Sequence, residues 1–324
     1  MPAVLPDVRA TYAIGLRTRF RRITTREGVL VRGDAGWGEV SPFWDYDDAE
    51  SASWLRAGLE AAEHGWPEPV RDRIPVNVTV PAVGPDDAHA TVTRSGGCTT
   101  AKVKVAEPGQ SLADEQARLE AVRDALGPHG AVRIDANAAW DLETALDRLA
   151  HLDRAAGGLE YAEQPCADVA DLAALRRRTG VPIAADESVR RADDPLAVRR
   201  AEAADVVVLK VQPLGGVRAC LRLAADIGLP VVVSSALETS VGIAAGVALA
   251  AALPELPHAC GLATVDLLTR DAVPEPLLPR DGALPVRRPE PTDADLTAVA
   301  AGDDVAERWS RRLAGMGAHL AAAR

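Results

Sequence analysis

From about residue 74 to residue 262 the chain alternates short apolar runs with alanine-rich helical stretches. Candidate strands fall at 76–80, 101–105, 132–135, 159–163, 183–186, 206–211 and 230–234, with a weaker one near 259–262. Helical spacing fills 111–126, 141–156, 168–179, 193–203, 215–227 and 240–252, and most of these stretches end at glycine or proline. Such alternation describes βα units around a parallel sheet, and seven or eight units close a barrel. A doubly wound open sheet competes, but it calls for a glycine-rich phosphate loop after its first strand, which this sequence lacks.

Upstream, 10–16, 26–32 and 36–40 read as strands with Gly33-Asp34 as a tight turn, and 47–64 as a helix capped by Asp47. Together they predict a small α+β lobe over 1–73 ahead of a barrel over 74–272. Prolines accumulate between 273 and 291, and one more helix is predicted at 293–323, within a C-terminal segment (273–324) that returns to the first lobe.

The chain has 324 residues, 48% hydrophobic and 26% charged, with a net charge of −11. That balance argues against a nucleic-acid footprint and for a cytoplasmic protein of small-molecule chemistry, a monomer being compatible with it. The first seven residues lack a basic segment followed by an apolar run, so no secretory signal is expected, and the apolar stretch at 241–253 is too short for a bilayer. Four separated cysteines and six scattered histidines form no paired metal or redox motif.

Of 36 basic residues only three are lysine: Lys102, Lys104 and Lys210. Surface charge has gone to arginine, so lysine stands where a nitrogen able to lose its proton is useful. Lys102 and Lys104, two apart on one strand, share a face and lower each other's affinity for protons. An edge strand guarded by charge is the plainer reading of Lys-Val-Lys, but a guard needs only charge.

Three acids close successive strands: Asp135, Glu163 and Asp186, spaced by 28 and 23 residues, with Lys210 a further 24 on. Singly, each reads as a helix cap or loop charge. In series, at one barrel mouth, they repel unless a cation neutralises them, and carboxylates suit Mg²⁺, with Mn²⁺ as a substitute. Asn137 and Glu187 either orient these ligands or cap the helices that follow. A metal-held carboxylate substrate between neutral amines is the arrangement for removing a weakly acidic α-proton.

Lys-Val-Lys at 102–104, Asp-Ala-Asn at 135–137, Glu-Gln-Pro at 163–165, Asp-Glu-Ser at 186–188 and Lys-Val-Gln-Pro-Leu-Gly-Gly at 210–216 together resemble the enolase superfamily, in its muconate-lactonizing subgroup. Leu-Arg-Thr-Arg-Phe at 16–20 and Gly-Trp-Gly-Glu at 36–39 resemble the o-succinylbenzoate synthase family, of the shorter actinobacterial type. The resemblance implies an α/β fold, a modified TIM barrel (β/α)7β with an N-terminal α+β capping domain completed by the C-terminal tail. It implies Mg²⁺ on Asp135, Glu163 and Asp186, and a metal-dependent hydro-lyase acting on a cyclohexadiene carboxylate in menaquinone biosynthesis. Lys104 is then the base, Lys102 tunes it, and Lys210 stabilises the intermediate. Ser234 and Ser235 match a substrate-contacting segment, and one arginine among Arg17, Arg19, Arg21 and Arg22 is expected to meet a distal carboxylate, with Arg19 the candidate. Two alternatives stay open: an N-acylamino acid racemase with the same lysines and metal, and a binding relative without chemistry.

Overall fold

The computed structural model describes residues 6–322. The expectation of no secretory signal falls largely on residues 1–5, and the predicted tail helix ends at residue 323; these positions lie outside the described residues.

The chain opens with an antiparallel sheet of β1 (Asp7–Phe20), β2 (Ile23–Gly33) and β3 (Gly36–Val40). β1 and β2 are longer than the apolar pattern predicts, because Arg21 and Arg22 make a two-residue turn with φ of 47° and 66°. Primed hairpin turns need positive φ at both central residues, and two arginines carry none of the Asn-Gly signal that announces one. Helix α1 (Asp48–Leu59) starts at a capping box in which Asp47 accepts from the Glu50 backbone, and it runs into a π turn, Glu60–His64. β3 and α1 touch through glycine: a Cβ on Gly38 would collide with the carbonyl oxygen of Gly58.

The barrel follows. β4 (Arg73–Pro75) leads into β5 (Val78–Val80), then helix α2 (Pro85–Thr93), β6 (Thr100–Lys104), α3 (Leu112–Leu126), β7 (Ala131–Asp135), α4 (Leu142–Ala156), β8 (Tyr161–Glu163), α5 (Val169–Arg176) and β9 (Ile183–Ala185). Short helices α6 (Glu187–Arg190) and α7 (Ala197–Arg200) precede β10 (Val206–Leu209), and α8 (Val211–Leu214), α9 (Val217–Ile227), β11 (Val231–Val233) and α10 (Ser240–Ala252) complete the series. β5 to β11 pair in parallel, in sequence order. The weak strand expected at 259–262 shrinks to single parallel bridges, Cys260 to Val76 and Gly261 to Ser234, and these join the two edges of the sheet. Helix α2 escapes the apolar pattern because it is short and buries only Ala88 and Val92, although proline at its first turn is a start signal. The helix expected at 193–203 keeps only α7, since Asp194 and Pro195 occupy its start.

Side chains alternate along the strands. Val206 and Val208 join Tyr161, Ala184 and Val232 in a buried interior cluster, whereas Val207 and Leu209 face the helices. Lower in the barrel the fully buried Arg133 donates to Glu160 Oε2 at 2.5 Å, Asn77 Oδ1 at 3.1 Å and the Ala259 carbonyl at 2.7 Å, and His258 Nδ1 lies 2.8 Å from Glu160 Oε1.

After α10 the chain adds β12 (Ala283–Pro285), paired with β4, and then two helices where one is predicted: α11 (Asp293–Val299) and α12 (Asp303–Ala322). The break falls at Ala300 and Ala301, whose backbone bonds to the edge of β1, with Ala301 N donating to Thr11 O at 2.9 Å. Trp309, Leu313 and Met316 of α12 share a core with Val29, Val40, Trp54 and Leu55.

Two consequences can be measured. Gly38→Ala is expected to lower unfolding free energy by about 3 kcal/mol, because two backbones in contact cannot yield as a side chain can; an unchanged chemical-denaturation midpoint would refute the contact. Glu160 is held down to about 2: burial alone would raise it, but donation from His258 and Arg133 outweighs burial. Its ionised form therefore stabilises the fold above the ordinary value of 4.5, and that stabilisation is lost as pH falls towards 2. Glu160→Gln should unfold more easily than the wild type at pH 7, with the gap closing below pH of about 4.

Candidate active site

Successive parallel strands end level with one another, so their last inward side chains meet at one mouth. Lys102, Arg133 and Tyr161 sit in one row of the register, and Lys104, Asp135 and Glu163 in the next. Asp186 follows β9 directly, Lys210 follows β10 and Ser234 follows β11. Asp135, Glu163 and Asp186 are buried to 1% exposure or less.

Amines and acids interleave there. Lys102 Nζ lies 2.8 Å from Asp135 Oδ2 and 2.6 Å from Glu163 Oε1. Lys104 Nζ donates to Asp135 Oδ2 at 2.5 Å and to Asn137 Oδ1 at 2.7 Å. Lys210 Nζ donates to Asp186 Oδ2 at 2.5 Å. Burial lowers the proton affinity of both strand lysines. For Lys102 the charges of Asp135 and Glu163 outweigh it, and its pKa is raised well above the ordinary value. For Lys104 burial and the Lys102 ammonium together outweigh Asp135, and its pKa is lowered. One amine is thus fixed as a cation and its neighbour is biased towards neutrality. Asp135 and Asp186 are held below the carboxylate range: burial opposes this, but Lys102 and Lys104 prevail at Asp135, and Arg190 and Lys210 at Asp186. Glu163 is raised to about 7, first by burial and then by Asp135 and Asp186.

Among the described residues no three acidic, imidazole or thiol groups converge as a finished ligand set, since each carboxylate is turned to an amine. The donor chemistry nevertheless fits a hard divalent cation. Glu163 Oε2 is buried without a hydrogen-bond partner, and two further carboxylates act on it.

Asn137 adopts φ of 47°, a conformation asparagine tolerates, so that its backbone N–H donates to Asp135 Oδ1 at 3.0 Å while Nδ2 donates to Glu187 Oε1 at 3.3 Å. Both residues therefore touch the acids or their neighbours instead of serving only as caps. Ser234 and Ser235 line the same cleft as the three lysines, a space of about 50 Å³, and Ser235 Oγ bonds Thr264 Oγ1 at 2.7 Å. Arg19 does not line that cleft. The turn after β1 carries Arg21 over the Phe43 ring, 4.3 Å from its centroid, onto the cleft wall, and leaves Arg19 in an adjoining cleft of about 240 Å³ that shares Lys104 and Asn137.

Three further residues went unassigned in the sequence. Gln164, fully buried with φ of 39°, accepts from the backbone of Asp186 at 2.8 Å and Ser188 at 3.2 Å, and donates to Ser188 Oγ at 2.6 Å. Its place inside Glu-Gln-Pro was the available signal. Arg190 donates to Asp186 Oδ1 at 2.8 Å and Glu187 Oε1 at 2.6 Å, a pairing readable from the four- and three-residue spacings on a helical turn. Glu39, buried, accepts from Tyr12 at 2.8 Å and from the backbone N–H groups of Thr239 and Gly242, each at 3.1 Å, where α10 begins. A partner 200 residues away gives no local signal.

Residues 86–291 match the family described as Enolase C-terminal domain-like, and residues 11–62 the one described as Enolase N-terminal domain-like. The fold is similar to that of muconate lactonizing enzyme from Pseudomonas fluorescens (TM-score 0.77, 22% identity, 92% of this chain and 100% of that chain). It is also similar to L-Ala-D/L-Glu epimerase from Bacillus subtilis (TM-score 0.73, 21% identity, 90% and 98%). Fold and family matches together define an enolase-superfamily protein. Within it, the chain is 67% identical to an o-succinylbenzoate synthase of Thermobifida fusca over 94% of each chain, and 54% identical to one of Mycobacterium ulcerans over 96% of this chain and 95% of that one. The chain belongs to the o-succinylbenzoate synthase family.

Gln164→Leu removes the acceptor for two buried N–H groups and is expected to cost on the order of 2 kcal/mol or more. Wild-type stability of this variant in urea would show that Gln164 does not hold the segment bearing Asp186.

Proposed function

We propose that the chain is a lyase that dehydrates 2-succinyl-6-hydroxy-2,4-cyclohexadiene-1-carboxylate to 2-succinylbenzoate in menaquinone biosynthesis, with Lys104 as the proton-transfer group. The observation that carries this reading is that Lys104, at the end of β6, and Lys210, just past β10 four places along the sheet, line one cleft with Asp135, while the strand ends between them carry Glu163 and Asp186. The relatives named above support the choice of reaction.

Like its superfamily, the chain uses a divalent metal. The oxygen donors of Asp135, Glu163 and Asp186 suit Mg²⁺, with Mn²⁺ as a substitute. When bound, such an ion supplies positive charge opposite the substrate carboxylate and so acidifies the adjacent C–H. The side chains do the rest. Neutral Lys104 takes the proton from C1, and the resulting anion lies between the Lys104 and Lys210 charges. The C6–O bond then breaks, a C1–C6 double bond completes the aromatic ring, and the Lys104 ammonium returns its proton to the departing hydroxide as water. Lys102, fixed as a cation, keeps its neighbour's proton mobile. Ser234 and Ser235 offer hydroxyls to the substrate from the far wall. Arg21 is better placed than Arg19 to meet the succinyl carboxylate.

A racemase of the same subgroup needs both lysines to exchange protons, whereas the dehydratase asks of Lys210 only a charge. Lys210→Arg is therefore expected to lower kcat about tenfold to a thousandfold, Lys104→Arg to abolish turnover, and Lys102→Arg to leave more activity than Lys104→Arg. Excess chelator should abolish turnover as well. Dehydration of the cyclohexadiene acid and α-proton exchange of both enantiomers of an N-succinyl amino acid in D₂O are the measurements. Full activity of Lys104→Arg, or efficient exchange with negligible dehydration in the wild type, would overturn the proposal.

A further inference from the structure

The side chain of Arg190 is 3% exposed and each of its guanidinium nitrogens has a different partner: Nε meets Asp186 Oδ1 at 2.8 Å, one terminal nitrogen meets Glu187 Oε1 at 2.6 Å, and the other donates to the Tyr46 hydroxyl. Asp186 is therefore gripped on both oxygens, Oδ2 by Lys210 and Oδ1 by Arg190. Tyr46 belongs to the first lobe, in the segment between β3 and α1. Its buried ring lies edge-on to Trp54 at 5.6 Å and beneath the Arg191 guanidinium at 4.6 Å. The same segment is held from its other side by Arg312 of α12, which donates to the carbonyls of Pro42, Phe43 and Tyr46 at 3.2, 2.7 and 2.8 Å. Phe43, Tyr46 and Arg190 all face the cleft that holds the lysines.

We propose that Arg190 is a positioning residue that joins Asp186 to the loop at 42–46 through the Tyr46 hydroxyl, so that cation binding in the mouth and seating of this loop over it are one linked equilibrium. The proposal rests on the reading of Asp186 as a cation ligand. A planar guanidinium bonded at all three nitrogens fixes the carboxylate's rotation, and it does so only while Tyr46 is in place. Linkage is reciprocal: if the seated loop orients Asp186 for a cation, then a cation on Asp186 favours the seated loop by the same factor.

The test uses the full chain freed of metal by chelation and then titrated with Mg²⁺ in a calorimeter, with amide hydrogen exchange at 42–46 followed with and without the ion. Tyr46→Phe keeps every charge and the ring packing and removes one hydroxyl. It is expected to weaken Mg²⁺ binding about tenfold, to leave the melting transition of the apoprotein near that of the wild type, and to abolish the slowing of loop exchange that Mg²⁺ causes in the wild type. Arg190→Lys, which keeps charge but loses the fork, should weaken binding at least as much, and the two changes together should cost less than their sum. Wild-type affinity and wild-type loop protection in Tyr46→Phe would overturn the linkage. Asp186→Asn separates the two readings: unchanged affinity there would remove Asp186 from the cation site and this proposal with it, whereas lost affinity there beside wild-type behaviour of Tyr46→Phe would overturn the linkage alone.

Discussion

Burying like charges side by side is unfavourable, and the mouth of this barrel is built around that fact. Asp135, Glu163 and Asp186 are nearly inaccessible to water, and so is most of Lys102, Lys210 and Arg190. None could remain charged alone. Interleaving acid with amine holds Asp135 and Asp186 ionised and Lys102 protonated, while Glu163 is left raised to about 7, so that each of these groups depends on its neighbours. Glu163, with an oxygen that nothing donates to, is the member least satisfied by that arrangement, and it is where an added cation gains most. The same crowding biases Lys104 towards the neutral form that a base requires.

The lobe and the barrel are bound by a second set of buried polar contacts, each matching a charge to a helix end or to bare carbonyls. Glu39 receives the first N–H groups of α10, and Glu60 those of α9, where Val217 N donates at 2.6 Å. Arg26, also buried, donates to the Leu237 carbonyl at 2.9 Å. The segment at 234–240 carries Ser234 and Ser235 and is reached from the lobe at both Ala236 and Leu237, so the cleft's far wall is bonded to the lobe beside it. This explains why the Gly-Trp-Gly-Glu stretch, remote from the acids in sequence, is tied to the site: its second glycine admits α1 against β3 and its glutamate caps α10.

Much of the barrel was legible because parallel strands buried on both faces read as short continuous apolar runs, and because an acid or lysine at the end of such a run stands out. The closing edge was faint, since Cys260 and Gly261 make one bridge each and need no apolar run. Helix α2 and the break before α12 were missed for different reasons: α2 is short and buries only Ala88 and Val92, and the break is imposed by the edge of β1, which no local pattern records. Within the site, strand-end residues could be found by spacing. Gln164 and Glu39 could not be assigned in the same way, because what matters about them is a partner in another loop or the other lobe; for Arg190 the pairing with Asp186 and Glu187 was readable from local spacing, and only its bond to Tyr46 was not.

The central claim is that the three strand-end acids and the two lysines of β6 form one unit around a divalent cation. Anomalous scattering from a crystal grown with Mn²⁺ tests it most directly. The account predicts one strong peak within bonding distance of Asp135, Glu163 and Asp186, with the Lys102 and Lys104 amines withdrawn from Asp135. A peak elsewhere, or none at saturating Mn²⁺ with the amines still paired to the acids, would contradict it.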